Sequence, residues 1–169
     1  VKNELFTIAF TNKGGQPKWI ELSKFKNMDS GHVRLAAADF DKISYRVNTG
    51  NNKSANTGDL YFQPGKLVKN ADGTQTVSFE LRSSDSSGTA GIVHQYVMKP
   101  NDYMVDFEVQ LNGADKLLTG GVMNLTWNYT AAQQESDIDF EKQNTQVGFV
   151  EDGEFDFYTV GNRSSVDFS

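Results

Sequence analysis

The two histidines are the residues best suited to acid–base chemistry, because imidazole titrates near neutral pH. His94 lies in an alternating apolar segment typical of a strand, whereas His32 follows Asp29-Ser30-Gly31 in a stretch typical of a loop. A sugar-epimerising site would need a histidine and a carboxylate facing each other across the ring. No catalytic motif surrounds either histidine, so we interpret both as structural or surface residues.

Four acidic residues recur at every second position, namely Glu135, Asp137, Asp139 and Glu141. In an extended segment they would line one face and could attract a hard cation such as calcium. The glycine and the ligand spacing of a calcium-binding loop are missing. We therefore favour a solvated acidic surface, and we expect no metal site and no cofactor.

Five aromatic residues on or near predicted strands could stack on a sugar ring: Trp19, Tyr61, Tyr96, Trp127 and Tyr129. The chain contains 12 Phe and 6 Tyr, and in a β-rich domain such residues mostly fill the core and the sheets. We favour that core role over a sugar-binding platform. A GxSxG nucleophile motif is also missing, so we expect no catalytic residue and no enzyme.

Composition narrows the classes of function further. The 169 residues include 16 Lys and Arg against 22 Asp and Glu, and the net charge of -6 argues against general nucleic-acid binding. Cysteine is absent, which excludes disulfides and thiolate zinc sites. No apolar run is long enough for a transmembrane helix. The length predicts a single domain over residues 1–169.

Apolar and polar residues alternate along most of the chain, as they do in strands with one buried face. Gly, Asn, Asp and Pro residues separate these runs and predict turns. The pattern therefore predicts an all-β, antiparallel sandwich or barrel with at most one short helix. Residues 131–142 are predicted to form that short surface helix or an ordered loop, and 48–58 and 83–91 are predicted to be polar loops. The predicted strands are 4–11, 16–23, 41–47, 59–63, 75–83, 90–99, 103–112, 121–130, 145–151 and 155–160, with 90–112 as the clearest hairpin.

Two segments resemble a known family. Residues 5–22, with the Asn12-Lys13-Gly14-Gly15 turn between two strands, resemble the start of the large periplasmic domain of YidC/OxaA membrane protein insertases. Residues 94–109, with their Asn101-Asp102-Tyr103 turn, resemble a hairpin of the same domain. The sequence looks most like members from Bacteroidota.

This resemblance implies a super-β-sandwich of the galactose mutarotase-like kind. It also implies that the family's domain continues past Ser169, so the C-terminal edge of the sandwich is expected to be incomplete. The parent protein would be embedded in the inner membrane by transmembrane helices that are absent from this chain. The chain itself is then expected to be a soluble, non-catalytic domain on the periplasmic side.

The resemblance further implies a role as an interaction or scaffold module that contacts the Sec translocon through SecDF. By position, 129–169 is the region where we expect the contact, with Asp139, Glu151 and Asn162 as candidate partner-binding residues. A carbohydrate-binding or mutarotase-like domain is the alternative suggested by the fold class alone. A structural spacer that only separates other parts of the parent protein is the third hypothesis.

Overall fold

The structure is a computed structural model that describes residues 1–35, 38, 41–50, 52–82 and 90–161. The α-helices α1 (Ala114–Leu117) and α2 (Ile138–Asn144) and 3₁₀ helices at Thr57–Asp59 and Thr119–Gly121 are short. Most of the regular structure is β, which confirms the predicted all-β class. The strands are β1 (Phe6–Thr11), β2 (Gln16–Lys26), β3 (His32–Leu35), β4 (Lys42–Ser44), β5 (Arg46–Gly50), β6 (Lys53–Asn56), β7 (Lys66–Lys69), β8 (Gln75–Arg82), β9 (Gly91–Met98), β10 (Val105–Asn112), β11 (Thr126–Asn128), β12 (Gln146–Glu151) and β13 (Glu154–Thr159).

Internal contacts divide the chain into two compact units. Unit 1 comprises Val1–Phe25 and His32–Ala131, and unit 2 comprises Lys26–Gly31 and Ala132–Ser169. The single domain over 1–169 stays a prediction.

Unit 1 contains two larger sheets. Their strand orders are β1-β2-β3 and β10-β9-β8-β7. The predicted hairpin over 90–112 is confirmed, because β9 and β10 pair antiparallel along their whole length. The β8–β9–β10 register places Phe79, His94 and Val109 in one row across the sheet.

The core of unit 1 lies between these two sheets. The rings of Phe10 on β1 and Tyr96 on β9 are 5.1 Å apart, so side chains of the two sheets meet directly. This packing confirms the sandwich, while its galactose mutarotase-like detail stays a prediction. The buried cluster consists of Leu5, Phe6, Ile8, Tyr45, Val47, Phe62, Val77, Phe79, Ala90, Ile92, Tyr96, Met98 and Leu117.

Some predicted elements in unit 1 are wrong. The strand predicted at 59–63 is replaced by the 3₁₀ helix and by one isolated bridge, between Lys13 and Tyr61. The loop predicted at 48–58 contains the β5–β6 hairpin, because backbone pairing needs no apolar alternation. The predicted strand at 121–130 is paired only at β11, with β4. Strands β3 and β7 were not predicted, and most of the loop predicted at 83–91 lies outside the described residues.

Unit 2 is built around helix α2 and the β12–β13 hairpin. The predicted helix began too early, because Asp137 caps the helix and residues 131–137 are not helical. The strands predicted at 145–151 and 155–160 are confirmed within a residue, and they pair antiparallel. Asp152 and Gly153 form the turn with positive φ angles of 51° and 85°, which the tight hairpin geometry favours.

Candidate functional site

His94 is a buried structural residue with a fixed tautomer. Its side chain is 1% exposed, and Nδ1 lies 3.1 Å from the carbonyl oxygen of Gly15. Because a carbonyl can only accept, Nδ1 donates, and Nε2 accepts from the Tyr45 hydroxyl at 2.8 Å. The Tyr96 hydroxyl donates to the same Gly15 oxygen at 3.0 Å. Burial lowers the pKa of His94, so the neutral form is favoured in the folded protein.

The turn that carries Gly15 requires glycine. Gly15 has a φ of +56°, and a Cβ there would lie 3.0 Å from side-chain atoms of Phe62 and Phe79. Glycine therefore lets the backbone carbonyl approach the His94 ring closely. The three bonds tie the β1–β2 turn to β9 and to Tyr45, and they match the interpretation of His94 as structural.

His32 gives no support to sugar chemistry either. It is the exposed first residue of β3 rather than a loop residue, and its Nδ1 lies 3.1 Å from the carbonyl oxygen of Leu22. A cavity of about 170 Å³ in unit 1 is lined by Val47, Leu60, Ile92 and neighbouring residues, and neither histidine lines it.

Two of the four acidic residues of 135–141, Asp137 and Glu141, organise their own segment through hydrogen bonds to its backbone. The Asp137 carboxylate accepts from the backbone N–H groups of Asp139 and Phe140, at 3.1 and 3.0 Å. The Glu141 carboxylate accepts from the backbone N–H of Gln134 at 3.0 Å and of Glu135 at 3.2 Å. These bonds stabilise the start of α2 and the loop before it. Within the described ranges, no three His, Asp or Glu side chains are grouped so that they could hold a metal ion.

The aromatic residues do not share one environment. Tyr96 is in the core, as the core interpretation predicts, and the Arg34 guanidinium covers Trp19 at 4.6 Å from the ring centroid. Tyr61, Trp127 and Tyr129 are exposed, so the core interpretation is wrong for these three.

Two of the three candidate partner-binding residues are exposed in unit 2. Asp139 lies in the first turn of α2, and Glu151 is the last residue of β12. Asn162 lies outside the described residues.

Exposed apolar side chains are the feature of unit 2 that the sequence analysis missed. In its described part no residue is buried. Cross-strand pairing puts Gly148, Val150, Phe155 and Phe157 on one face of the hairpin. This face, called the aromatic face below, carries no charge, and its Val150 and Phe155 are 68% and 72% exposed. The apolar alternation predicted the strands but not which face would remain uncovered.

The two rings of the aromatic face are arranged side by side. A Cβ at Gly148 would lie 3.0 Å from the Phe155 ring, so this ring lies over the glycine. The Phe155 and Phe157 centroids are 6.4 Å apart with an interplanar angle of 29°. The glycine and the stacked rings together form a low, apolar surface.

Unit 2 is acidic as a whole, although Glu151, Glu154 and Asp156 project from the face of the hairpin opposite to the aromatic face. The described part of unit 2 contains nine acidic residues and two lysines, whereas that of unit 1 contains ten acidic and thirteen basic residues. Four of the acids are on the hairpin, namely Glu151, Asp152, Glu154 and Asp156, and no Lys or Arg occurs between positions 143 and 161. Among the described residues, no basic side chain forms an ion pair with these four.

These observations describe a well-packed β-sandwich in unit 1 and an exposed apolar hairpin in an acidic unit 2. The chain belongs to the family described as the YidC periplasmic domain, which matches residues 1–165. The resemblance noted in the sequence is thereby confirmed, and the chain lies on the periplasmic side of the inner membrane. Within the described residues, no helix is long and apolar enough to span a membrane.

Curated relatives carry the name membrane protein insertase YidC. The protein from Parabacteroides distasonis is 24% identical over 151 residues, which cover 88% of this chain and 23% of that protein. The one from Phocaeicola vulgatus is 27% identical over 154 residues, with coverages of 88% and 23%. The one from Chlorobaculum tepidum is 28% identical over 149 residues, with coverages of 85% and 25%. The chain thus spans about a quarter of the length of these relatives. No solved structure matches the chain.

Proposed function

We propose that this chain is a non-catalytic interaction and scaffold module of a membrane protein insertase, acting during membrane protein insertion and folding. Membership in the periplasmic domain family and the names of the relatives support the insertase context. The observation that carries the proposal is the exposed aromatic face of unit 2. Contiguous exposed apolar surface on a folded domain marks an interaction site.

The two units have different roles in this proposal. Unit 1 has a buried core and an internal hydrogen-bond network at His94, and it acts as the rigid scaffold. Unit 2 provides the surface that contacts the partner. Its two-stranded hairpin has no buried residues and therefore gains little stability from its own packing. The stabilisation that such a hairpin lacks would come from the partner that covers it.

The family resemblance names SecDF of the Sec translocon as that partner. The candidate contact residues Asp139 and Glu151 lie in the unit that carries the exposed face. Asn162 follows β13 closely in the sequence and is retained as a candidate on that ground.

Site-specific photo-crosslinking in the intact insertase, in its own membranes, tests this function. Probes would replace Asp139, Glu151 and Asn162, and a matched probe at the exposed Glu108 of β10 in unit 1 would serve as the control. We expect discrete SecD or SecF adducts from the unit 2 probes and none from Glu108.

Labelling of lipid alone, or equal labelling from all four positions, would contradict the proposal. In that case the spacer hypothesis would be the better account. It predicts that deletion of the chain from the insertase leaves membrane protein insertion unchanged, whereas the interaction role predicts a loss of insertion for partner-dependent substrates.

A further inference from the structure

We propose that the aromatic face of the β12–β13 hairpin docks a cationic, amphipathic polypeptide segment of the partner, that is, a segment with apolar side chains flanked by Lys or Arg. This inference rests on the proposed function and adds the chemistry of the contact to it. Val150, Phe155 and Phe157 supply the apolar surface, and the hairpin acids supply the charge.

The apolar part of the docking surface is open and flat. Val150 and Phe155 are adjacent across the two strands, and Phe157 lies beside Phe155 on the same face. Because Gly148 has no side chain, the Phe155 ring can lie over the backbone at that point, and Phe155 remains 72% exposed. Apolar side chains of a partner can therefore lie directly on the two rings, where burial of exposed aromatic surface favours binding.

The charge selects among possible occupants. Glu151 follows Val150 in β12, Glu154 precedes Phe155 in β13, and Asp156 separates the two phenylalanines. Strand neighbours project to opposite faces, so these three acids lie behind the aromatic face, across a single two-stranded layer. The thickness of such a layer is comparable to the screening length of about 8–10 Å at physiological salt. A Lys or Arg side chain of a partner on the aromatic face is long enough to extend past the edge of the hairpin toward these carboxylates. A cation on the face itself would be attracted by the exposed faces of the rings.

The same charges disfavour two other occupants. A second copy of this chain would bring two acidic units together, because a twofold contact uses the same patch on both copies and the described part of unit 2 has nine acidic residues against two lysines. A membrane rich in anionic lipid would repel the hairpin for the same reason. A polypeptide with Lys or Arg beside its apolar residues satisfies both features of the surface.

Peptide binding to the whole 169-residue chain tests this chemistry. The probes are three synthetic peptides of equal length. The first alternates lysine with leucine, the second alternates glutamate with leucine, and the third alternates lysine with serine. We expect the lysine–leucine peptide to bind at least about tenfold more tightly than either of the others, as measured by fluorescence anisotropy. Its affinity should fall as the salt concentration rises.

Substitutions then locate the binding surface. Phe155→Ser should weaken binding of the lysine–leucine peptide by about tenfold, and the double change Glu151→Lys with Glu154→Lys should weaken it by a similar factor. The matched controls in unit 1 are Met104→Ser and Glu108→Lys, at a 70% exposed apolar residue and at an exposed acid. Both controls should leave the affinity unchanged. Circular dichroism and the thermal midpoint verify that every variant is folded.

Several outcomes would overturn the inference. Equal binding of the glutamate–leucine peptide would mean that the surface is merely apolar, and equal loss with Met104→Ser would place the contact elsewhere. Tighter binding to phosphatidylglycerol vesicles than to the peptide would point to the membrane. A Phe155-dependent dimer in sedimentation would point to a second copy.

The two proposals can fail separately. If the peptide tests fail while the unit 2 probes still crosslink to SecD or SecF, the interaction function stands and the chemistry assigned to the contact is wrong. If the peptide tests succeed while the intact insertase gives no protein adducts, the surface has this chemistry and the proposed function is wrong.

Discussion

The two units of this chain differ in how they use apolar side chains. Unit 1 buries them between two sheets and fixes His94 among them through two hydrogen bonds. In unit 2, Phe155 and Phe157 of the hairpin remain exposed, in a unit whose described part is rich in acidic residues. The same residue types therefore stabilise the fold in one unit and form a surface in the other, and burial decides which.

Paired phenylalanine substitutions give the largest expected contrast. Phe79→Ala removes a ring that is 3% exposed, and it should lower the free energy of unfolding by about 3–5 kcal/mol. Phe155→Ala removes an exposed ring from unit 2 and should change that free energy by less than about 0.5 kcal/mol. Urea denaturation of both variants measures the difference. Similar losses would mean that the hairpin contributes to the same core.

Glycine substitutions sharpen the same contrast. Gly15→Ala combines a positive φ with a Cβ that would lie 3.0 Å from two phenylalanines, so a loss of about 2–4 kcal/mol is expected. Gly153 also has a positive φ, but a Cβ there would have no other atom within 4 Å. Gly153→Ala is therefore expected to cost only the backbone strain, about 1–2 kcal/mol. Thermal unfolding of the two variants compares them, and equal losses would rule out crowding at Gly15 as a cause.

The pH dependence of stability should come in part from unit 1. Burial lowers the pKa of His94 in the fold, while the unfolded chain has a histidine pKa of about 6.5. Below that pH the unfolded chain takes up a proton that the folded chain does not. The contribution of His94 to the free energy of unfolding should therefore be largest above pH 6.5. It should decrease on acidification, by at most about 1.4 kcal/mol per pH unit, until the pH reaches the folded-state pKa of His94.

His94→Gln isolates this effect. The variant is expected to be less stable at pH 7, because the buried bonds to Tyr45 and Gly15 are disturbed, but its stability should fall less between pH 7 and pH 5. His32→Gln, at an exposed position, is the control and should keep the wild-type slope. An unchanged slope in His94→Gln would assign the pH dependence to carboxylates instead.

The smallest expected effect is local to unit 2. Asp137→Ala removes the cap of α2 and should destabilise that helix by about 1 kcal/mol. Hydrogen exchange should become faster in 138–144 and remain unchanged in β8 and β9. Faster exchange throughout unit 1 would show that the two units unfold together.

The sequence predicted the strands best where one face is buried. Val105, Phe107, Val109 and Leu111 alternate with polar residues, and β10 was found where this period predicts it. The β5–β6 hairpin was missed because its strands are polar and are held by backbone pairing. The start of α2 was placed too early, although Asp137 could have been recognised as a cap.

The contacts of the candidate site were less predictable. Gly15 and His94 are far apart in the sequence, and their bond depends on how two sheets pack. For β12 and β13 the pattern indicates strands with apolar residues on both faces, and a pattern alone does not show which face lacks a partner. The absence of Lys and Arg from 143–161 was the available signal for an acidic surface.

Hydrogen exchange of β8, β9, β12 and β13, compared between the intact insertase in its membranes and the isolated 169-residue chain, tests the central claim most directly. Amides of β8 and β9 should be strongly protected in both samples, because the core of unit 1 is complete in itself. Amides of β12 and β13 should exchange rapidly in the isolated chain and slow down in the insertase, where a partner covers the aromatic face. Equal exchange of β12 and β13 in the two samples would contradict the account.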